Sequence, residues 1–311
     1  MNKQKFMELV VERVKEAFED REVMLNEVVK NNGIKLTGLV VYDKESNVGP
    51  AAYLDDAYRF VESGRMTFEE VVEHIIGEFK NAEPSTRESM DMSWFTQWES
   101  VKDKLCFRLV NREKNEEILK DAPHREFLDM EIIYAVFVDG GRLGRGTITV
   151  RGEHFDKWGV SEADLYEAAM ENTPKLYPMQ VHTMREVLAE ISGDIPEVAF
   201  DNTMLILSNS FGTFGAAALA YPGVREEIAE RVGGSYYVMP CSVHEVIILP
   251  AEGAEADVLS GLVNEANTTS VRPMEVLSFS VYRYDADKDE FKVFSRDQFV
   301  NGDDGELERE A

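Results

Sequence analysis

Between Gly233 and Ala251 the chain reads GGSYYVMPCSVHEVIILPA, which places a thiol (Cys241), a hydroxyl (Ser242), an imidazole (His244) and a carboxyl (Glu245) side by side. These are the side chains of nucleophilic catalysis: a thiolate attacks, an imidazole takes the proton and a carboxylate orients the imidazole. Whether they can cooperate depends on the backbone. On a continuous strand, Cys241 and His244 are an odd number of residues apart and point to opposite faces. If Pro240 instead breaks the strand and Ser242 caps a helical turn, with Glu245 completing a capping box, the two share a face and a dyad can form. The third reading is structural: YYVMP and VIILP are neighbouring strands of a buried sheet, and CSVHE is the connection. We adopt it, because no nucleophile elbow surrounds the cysteine and an activated thiol also needs a lowered pKa and an oxyanion site.

A second polar cluster is PHREFLDM, where Pro123 ends a helix and His124, Arg125 and Asp129 approach an apolar strand. These groups either line a cleft or satisfy loop backbone and each other. Brought beside Cys241 and His244, His124 and Asp129 would complete a catalytic set. The histidines His74, His124, His154, His182 and His244 are scattered, without an HExxH pattern, and His244-Glu245 is followed at the required position by Ile248. His74 lies in a helical stretch near Val71, Ile75 and Phe79 and reads as solvated or structural. DADKDE lacks the glycine and distal glutamate of a calcium loop and reads as a hairpin turn. Arg142 and Arg145 in GGRLGRG read as solvated turn residues rather than a phosphate site. Neither metal nor cofactor is expected.

Composition bounds the partners. The chain has 311 residues, 44% of them apolar, with Asp and Glu outnumbering Lys and Arg by 59 to 33 for a net charge of −26. Such a surface repels phosphate backbones, so direct nucleic-acid binding is not expected, whereas a basic protein partner suits it. Cys106 and Cys241 lie far apart with no CxxC pair, which points to a reducing compartment. The opening MNKQKFMELVVERVKEAF lacks the apolar core of a secretory signal, and no run reaches the roughly 20 apolar residues of a membrane span. The expected location is cytoplasmic.

The periodicity supplies the elements that must position these groups. Phe6, Leu9, Val10, Val14 and Phe18 recur at helical spacing. VMLNEVV, the turn at Asn32-Gly33, IKLTGLVVYD and a return through Ala51 to Leu54 read as an antiparallel sheet. DDAYRFVES and FEEVVEHIIGEFK are helices, the second capped by Thr67 with Glu70. AEPSTRESMDM is the candidate linker. Beyond it come amphipathic SWFTQWESVKDKL, the strand CFRLV, a short charged helix, and the hairpin of DMEIIYAVFVD with GTITV. SEADLYEAAMEN is a helix with a box at Ser161 and Asp164, stopped by Asn172, Thr173 and Pro174; the helix MREVLAEI follows. MLILSN is a strand, GAAALAYPGVREEIAERVGG leads into a helix, ADVLSGLVNEAN is a helix, and SFSVYRYD pairs with EFKVFS. Helices and local hairpins without regular alternation make the fold α+β. The expected domains are 1–90 and 93–297, with 298–311 an acidic flexible tail.

LNEVVKNNGIKLTGL, PHREFLDMEIIYAVF, WGVSEADLYEAAMENTPKL, MLILSN, YPG and YYVMPCSVHEVIILP together resemble domain-of-unknown-function family 5688, found in gut Firmicutes and their mobile elements, over the chain to about residue 295. Residues 128–284 are also distantly similar to a second uncharacterised bacterial family, in which other short polar sequences fill the place of CSVHE. That likeness implies that Cys241 is not a shared nucleophile. The resemblance implies a bacterial or mobile-element protein and carries no mechanism. The leading functional reading is a non-enzymatic binding or regulatory protein with a protein partner. The alternatives are a hydrolase or transferase using Cys241 and His244, with Glu245, His124 and Asp129 as further candidates, and an acidic mimic of nucleic acid that inhibits a DNA- or RNA-binding enzyme.

Overall fold

A computed structural model describes residues 1–43, 49–82, 93–139, 145–192 and 203–294. The linker stretch from 83 to 92, Arg142 and the acidic tail 298–311 lie outside the described residues. The chain is α+β, its strands forming three antiparallel sheets. It divides into two compact units, Met1–Trp94 with Val138–Gly146, and Phe95–Phe137 with Thr147–Ala311.

The first unit opens with α1 (Lys3–Ala17), where Asn2 Oδ1 accepts the Lys5 N–H at 2.9 Å and Phe6, Val10 and Val14 form the buried stripe. β1 (Glu22–Val29) and β2 (Lys35–Tyr42) pair across Asn32 and Gly33, both at positive φ (60° and 66°), as the asparagine-glycine turn requires. β3 (Ala51–Tyr53) pairs with β2 and runs into α2 (Leu54–Glu62). α3 (Phe68–Ala82) starts at the expected capping box: Thr67 N–H donates to Glu70 Oε2 at 2.7 Å and Glu70 N–H to Thr67 Oγ1 at 3.3 Å. α1, α2, α3 and β2 enclose a core that includes Phe6, Val14, Leu39, Leu54, Ile75 and Phe79. Buried Asp55 ties the unit together by accepting from Lys3 Nζ and from the Thr37 N–H, each at 2.6 Å.

In the second unit α4 (Trp98–Val101) leads into β4 (Leu105–Asn111), and α5 (Glu116–Leu119) into β5 (His124–Phe127). β6 (Met130–Asp139) pairs with β4, β5 and β7 (Arg145–Thr149) to make a four-stranded sheet. α6 (Gly152–Trp158) and α7 (Glu162–Leu176) follow, the latter starting at the Ser161–Asp164 box. Next come β8 (Met179–Thr183), α8 (Met184–Ser192), β9 (Leu205–Asn209), a 3₁₀ segment over Gly215–Ala220 and α9 (Val224–Val232). β10 (Tyr236–Met239), β11 (Val246–Pro250), α10 (Ala256–Thr269), β12 (Val281–Asp285) and β13 (Glu290–Phe294) complete it. The larger sheet has the order β13-β12-β10-β11-β9-β8. YYVMP and VIILP are thus adjacent antiparallel strands, with Val238 opposite Ile248. No helix among the described residues is long and apolar enough to cross a membrane.

Three local readings change. α7 does not stop at Asn172-Thr173-Pro174 but runs through them to Leu176, closing with the Tyr177 N–H on Thr173 O at 2.8 Å. Pro174 removes one helical donor, yet Thr173 faces inward, its hydroxyl donating to Ala169 O at 2.6 Å and accepting the Phe107 N–H of β4 at 3.0 Å. Packing against the sheet therefore outweighs the proline's stop signal. HREF is a strand, not loop: β5 pairs with β6 across a tight turn where Leu128 adopts φ 58°. MQVHT, β8, forms the end of the larger sheet although its short polar sequence carries no strand signal.

Candidate functional site

The segment 240–245 is neither continuous strand nor helical turn. The N–H groups of Ser278 and Leu277 donate to Pro240 O (3.0 Å) and Cys241 O (3.1 Å), and the Val243 N–H donates to Glu275 O (2.8 Å). Ser242 Oγ accepts the His244 N–H at 3.0 Å, two residues on, which is a local side-chain turn rather than a helix cap.

This backbone separates the environments of the thiol and the imidazole. Cys241 packs against the apolar cluster of Tyr237, Met239, Leu259, Val263 and Val281. Burial, and secondarily the Glu245 charge, push its thiol up to about 11, opposite to what a nucleophile needs. His244 Nδ1 accepts the Phe214 N–H at 3.3 Å, which leaves the proton on Nε2, 3.7 Å from Glu275 Oε1. Its ring lies 5.9 Å from that of Phe214. Burial raises the Glu245 pKa, opposed by His244 and reinforced by Glu275. No hydrogen bond joins Cys241 to His244 among the described residues. The His244 carbonyl is also engaged, accepting from Ser208 Oγ at 2.8 Å over the buried Gly215.

Among the described residues no side-chain hydrogen bond joins the other candidates to Cys241 or His244. His124 starts β5 exposed, its Nδ1 2.9 Å from Ala122 O. Asp129 accepts from Ser278 Oγ (2.8 Å), Ser280 Oγ (2.7 Å) and Tyr282 OH, and so ties the β5–β6 turn to β12. Arg125 grips Glu162 through Nε (3.1 Å) and Nη2 (2.6 Å) and stacks over Tyr166. His74 is exposed, with Nε2 3.5 Å from Glu78. Arg145 Nε lies 3.9 Å from Asp139. The DADKD turn closes on itself, Lys288 N–H donating to Asp285 O at 3.3 Å and Tyr284 OH to Asp289 at 2.8 Å. Among the described residues no group of three or more His, Cys, Asp and Glu is placed to hold a metal ion.

An open concavity lies elsewhere, in the first unit. A groove of about 320 Å³ is lined by β3, α2 and α3. Ala52, Tyr53, Ala57, Phe60, Met66 and Ile75 give it an apolar floor. Asp56, His74 and Glu78 stand exposed at its margin, and Phe60 remains 42% exposed. No contiguous motif marks it: the groove combines residues from three elements, and the one visible signal is an unpaired Phe60 on an otherwise polar helix face.

The α+β architecture and these sites define a protein built from hydrogen-bonded structural polar networks, with an apolar-floored groove among the described residues of the first unit. The chain belongs to the family of unknown function DUF5688, whose model matches residues 3–286. No curated protein and no solved structure matches the chain.

Proposed function

We propose that the chain is a cytoplasmic, non-enzymatic binding or regulatory protein of bacterial or mobile-element origin, whose first unit takes a segment of a basic protein partner. The observation that carries this reading is the groove between β3, α2 and α3: an apolar floor with acids at its rim. Its 320 Å³ suits one or two partner side chains, and a hydrophobic pocket with a few polar groups at the edge is the usual form of a recognition site. Asp56 and Glu78, within a chain of net charge −26, favour an apolar anchor flanked by Lys or Arg. The unactivated Cys241 thiol further favours binding over nucleophilic catalysis.

The test is affinity capture of the tagged chain at low and at high salt, with the wild type beside Phe60→Glu. We expect a stoichiometric partner that is captured more weakly at high salt and lost with the variant. A partner retained by Phe60→Glu, or turnover of a substrate that Cys241→Ala abolishes, would overturn the reading.

A further inference from the structure

The sheet of the first unit has the order β1-β2-β3, so β1 is an edge strand. It is eight residues long, against five each for β8 and β13 at the edges of the larger sheet. Natural edges are commonly shielded by a bulge, a proline or shortness, because an open edge is a template for another strand. β1 has none of these shields: its pairing with β2 runs without a break from Glu22–Tyr42 to Val29–Lys35, and EVMLNEVV contains no proline.

The phase of the ladder fixes which backbone groups face outward. The Lys30 N–H donates to Ile34 O at 2.7 Å and the register is continuous, so the even positions of β1 bond to β2. The N–H and C=O groups of Val23, Leu25, Glu27 and Val29 therefore point away from the sheet, and no hydrogen bond outside the ladder reaches them among the described residues. Apolar side chains line the same edge. Met24, Leu25 and Val29 are 44%, 41% and 56% exposed, whereas Leu39, directly opposite Leu25 on β2, is fully buried. At the end of the strand the Lys30 ammonium lies 4.4 Å over the Tyr53 ring, and no carboxylate pairs with it among the described residues. Glu22, at the other end, accepts from Tyr42 OH at 2.8 Å and has no cation beside it among those residues.

We infer that β1 pairs with β1 of a second copy of this chain, antiparallel and two-fold symmetric about Asn26. The outward groups sit at odd positions, so odd residues bond odd residues across the axis. With the axis at Asn26, Glu22 stands opposite Lys30 of the second copy at both ends of the ladder. Val23 then meets Val29, Met24 meets Val28 and Leu25 meets Glu27, whose charge is already balanced by Lys35 Nζ at 2.8 Å. An axis at Glu27 sets that acid against itself. An axis at Leu25 sets Glu22 against Val28 and Lys30 against Asp20, outside the strand, and axes further out shorten the ladder. Charge complementarity and strand overlap therefore both select Asn26. Pairing here uses the edge opposite β3, so it adds to the groove of the proposed function and does not rest on it.

The test is sedimentation equilibrium of the full chain over a range of concentrations, for wild type, Glu22→Lys, Lys30→Glu and the double variant Glu22→Lys/Lys30→Glu. Wild type should show a reversible monomer–dimer equilibrium. Each single exchange sets like charges opposite one another at both ends and should weaken the dimer about tenfold, and the double exchange should restore it. The register is read separately by oxidative cross-linking. In the two-fold pairing, position 26 faces its own copy as a non-hydrogen-bonded pair with Cα atoms about 4.5 Å apart, so Asn26→Cys should give a disulfide-linked dimer. Met24→Cys, about 13 Å from its copy in that register, should not, and it also controls for the native Cys106 and Cys241. A chain that stays monomeric at every concentration, a dimer unaffected by either single exchange, or cross-linking of Met24→Cys without Asn26→Cys overturns the inference.

Discussion

At the scale of single residues, polar side chains in this protein mostly serve the backbone. Asp129 holds the hydroxyls of Ser278, Ser280 and Tyr282, and His244 accepts from the Phe214 N–H. Cys241 faces apolar neighbours, and its reactivity follows. With the thiol raised from 9.0 to about 11, labelling by a thiol reagent at neutral pH should be slow, and its rate should climb until about pH 11 instead of levelling near 9. The corresponding stability contribution is fully present below pH 9 and lost as pH rises towards 11, because the fold retains the proton that the unfolded chain releases. Cys241→Ala should flatten part of that alkaline decline, as read by urea unfolding; fast labelling at neutral pH would contradict the buried-thiol reading. Gly215 is constrained by close approach: a Cβ there would collide with Ser208 Oγ and the His244 carbonyl and meet Asn209 N at 2.7 Å. Gly215→Ala should destabilise the protein by roughly 1–3 kcal/mol, measured by denaturant unfolding; an unchanged midpoint would refute the tight packing of the 3₁₀ segment.

At the scale of elements, legibility in the sequence follows the range of the interactions involved. The β1–β2 hairpin and the starts of α3 and α7 rest on residues within three positions of one another, Asn32-Gly33, Thr67–Glu70 and Ser161–Asp164, and each is readable from the chain. β5 and β8 are short and polar, and they are strands because β6 and β9 offer them partners. α7 outruns Pro174 for the same reason, through a contact sixty-six positions distant between Thr173 and Phe107. The setting of Arg108 is not readable from CFRLV, which reads as strand, because the residues that frame its side chain, Thr149 of β7 and Phe214 of the loop after β9, lie far along the chain. Thr173 yields a prediction at this scale. Thr173→Val keeps the shape but removes the acceptor for the Phe107 N–H of β4, an outer strand of its sheet. We expect a loss of about 1–3 kcal/mol from the unpaired buried group, visible as a lower urea midpoint, with Thr173→Ser retaining most of the stability. Equal midpoints for Val and wild type would show that the hydroxyl bridge carries nothing.

At the scale of the whole molecule, charge is the dominant feature. A net charge of −26 opposes compaction by self-repulsion, which salt screens over a length of about 8–10 Å at physiological strength. Tm should therefore rise steadily as sodium gluconate is added from low to physiological ionic strength; a flat profile would mean the charges are already compensated. The same charge sets the choice of partner in the proposed function. The measurement that tests that proposal most directly is backbone hydrogen exchange on the full chain with and without the captured basic partner. Slowing is expected along β3, α2 and α3, at residues 51–60 and 71–78, which carry the groove. Slowing confined to residues 236–250, around Cys241 and His244, would contradict it and return the functional site to the cysteine.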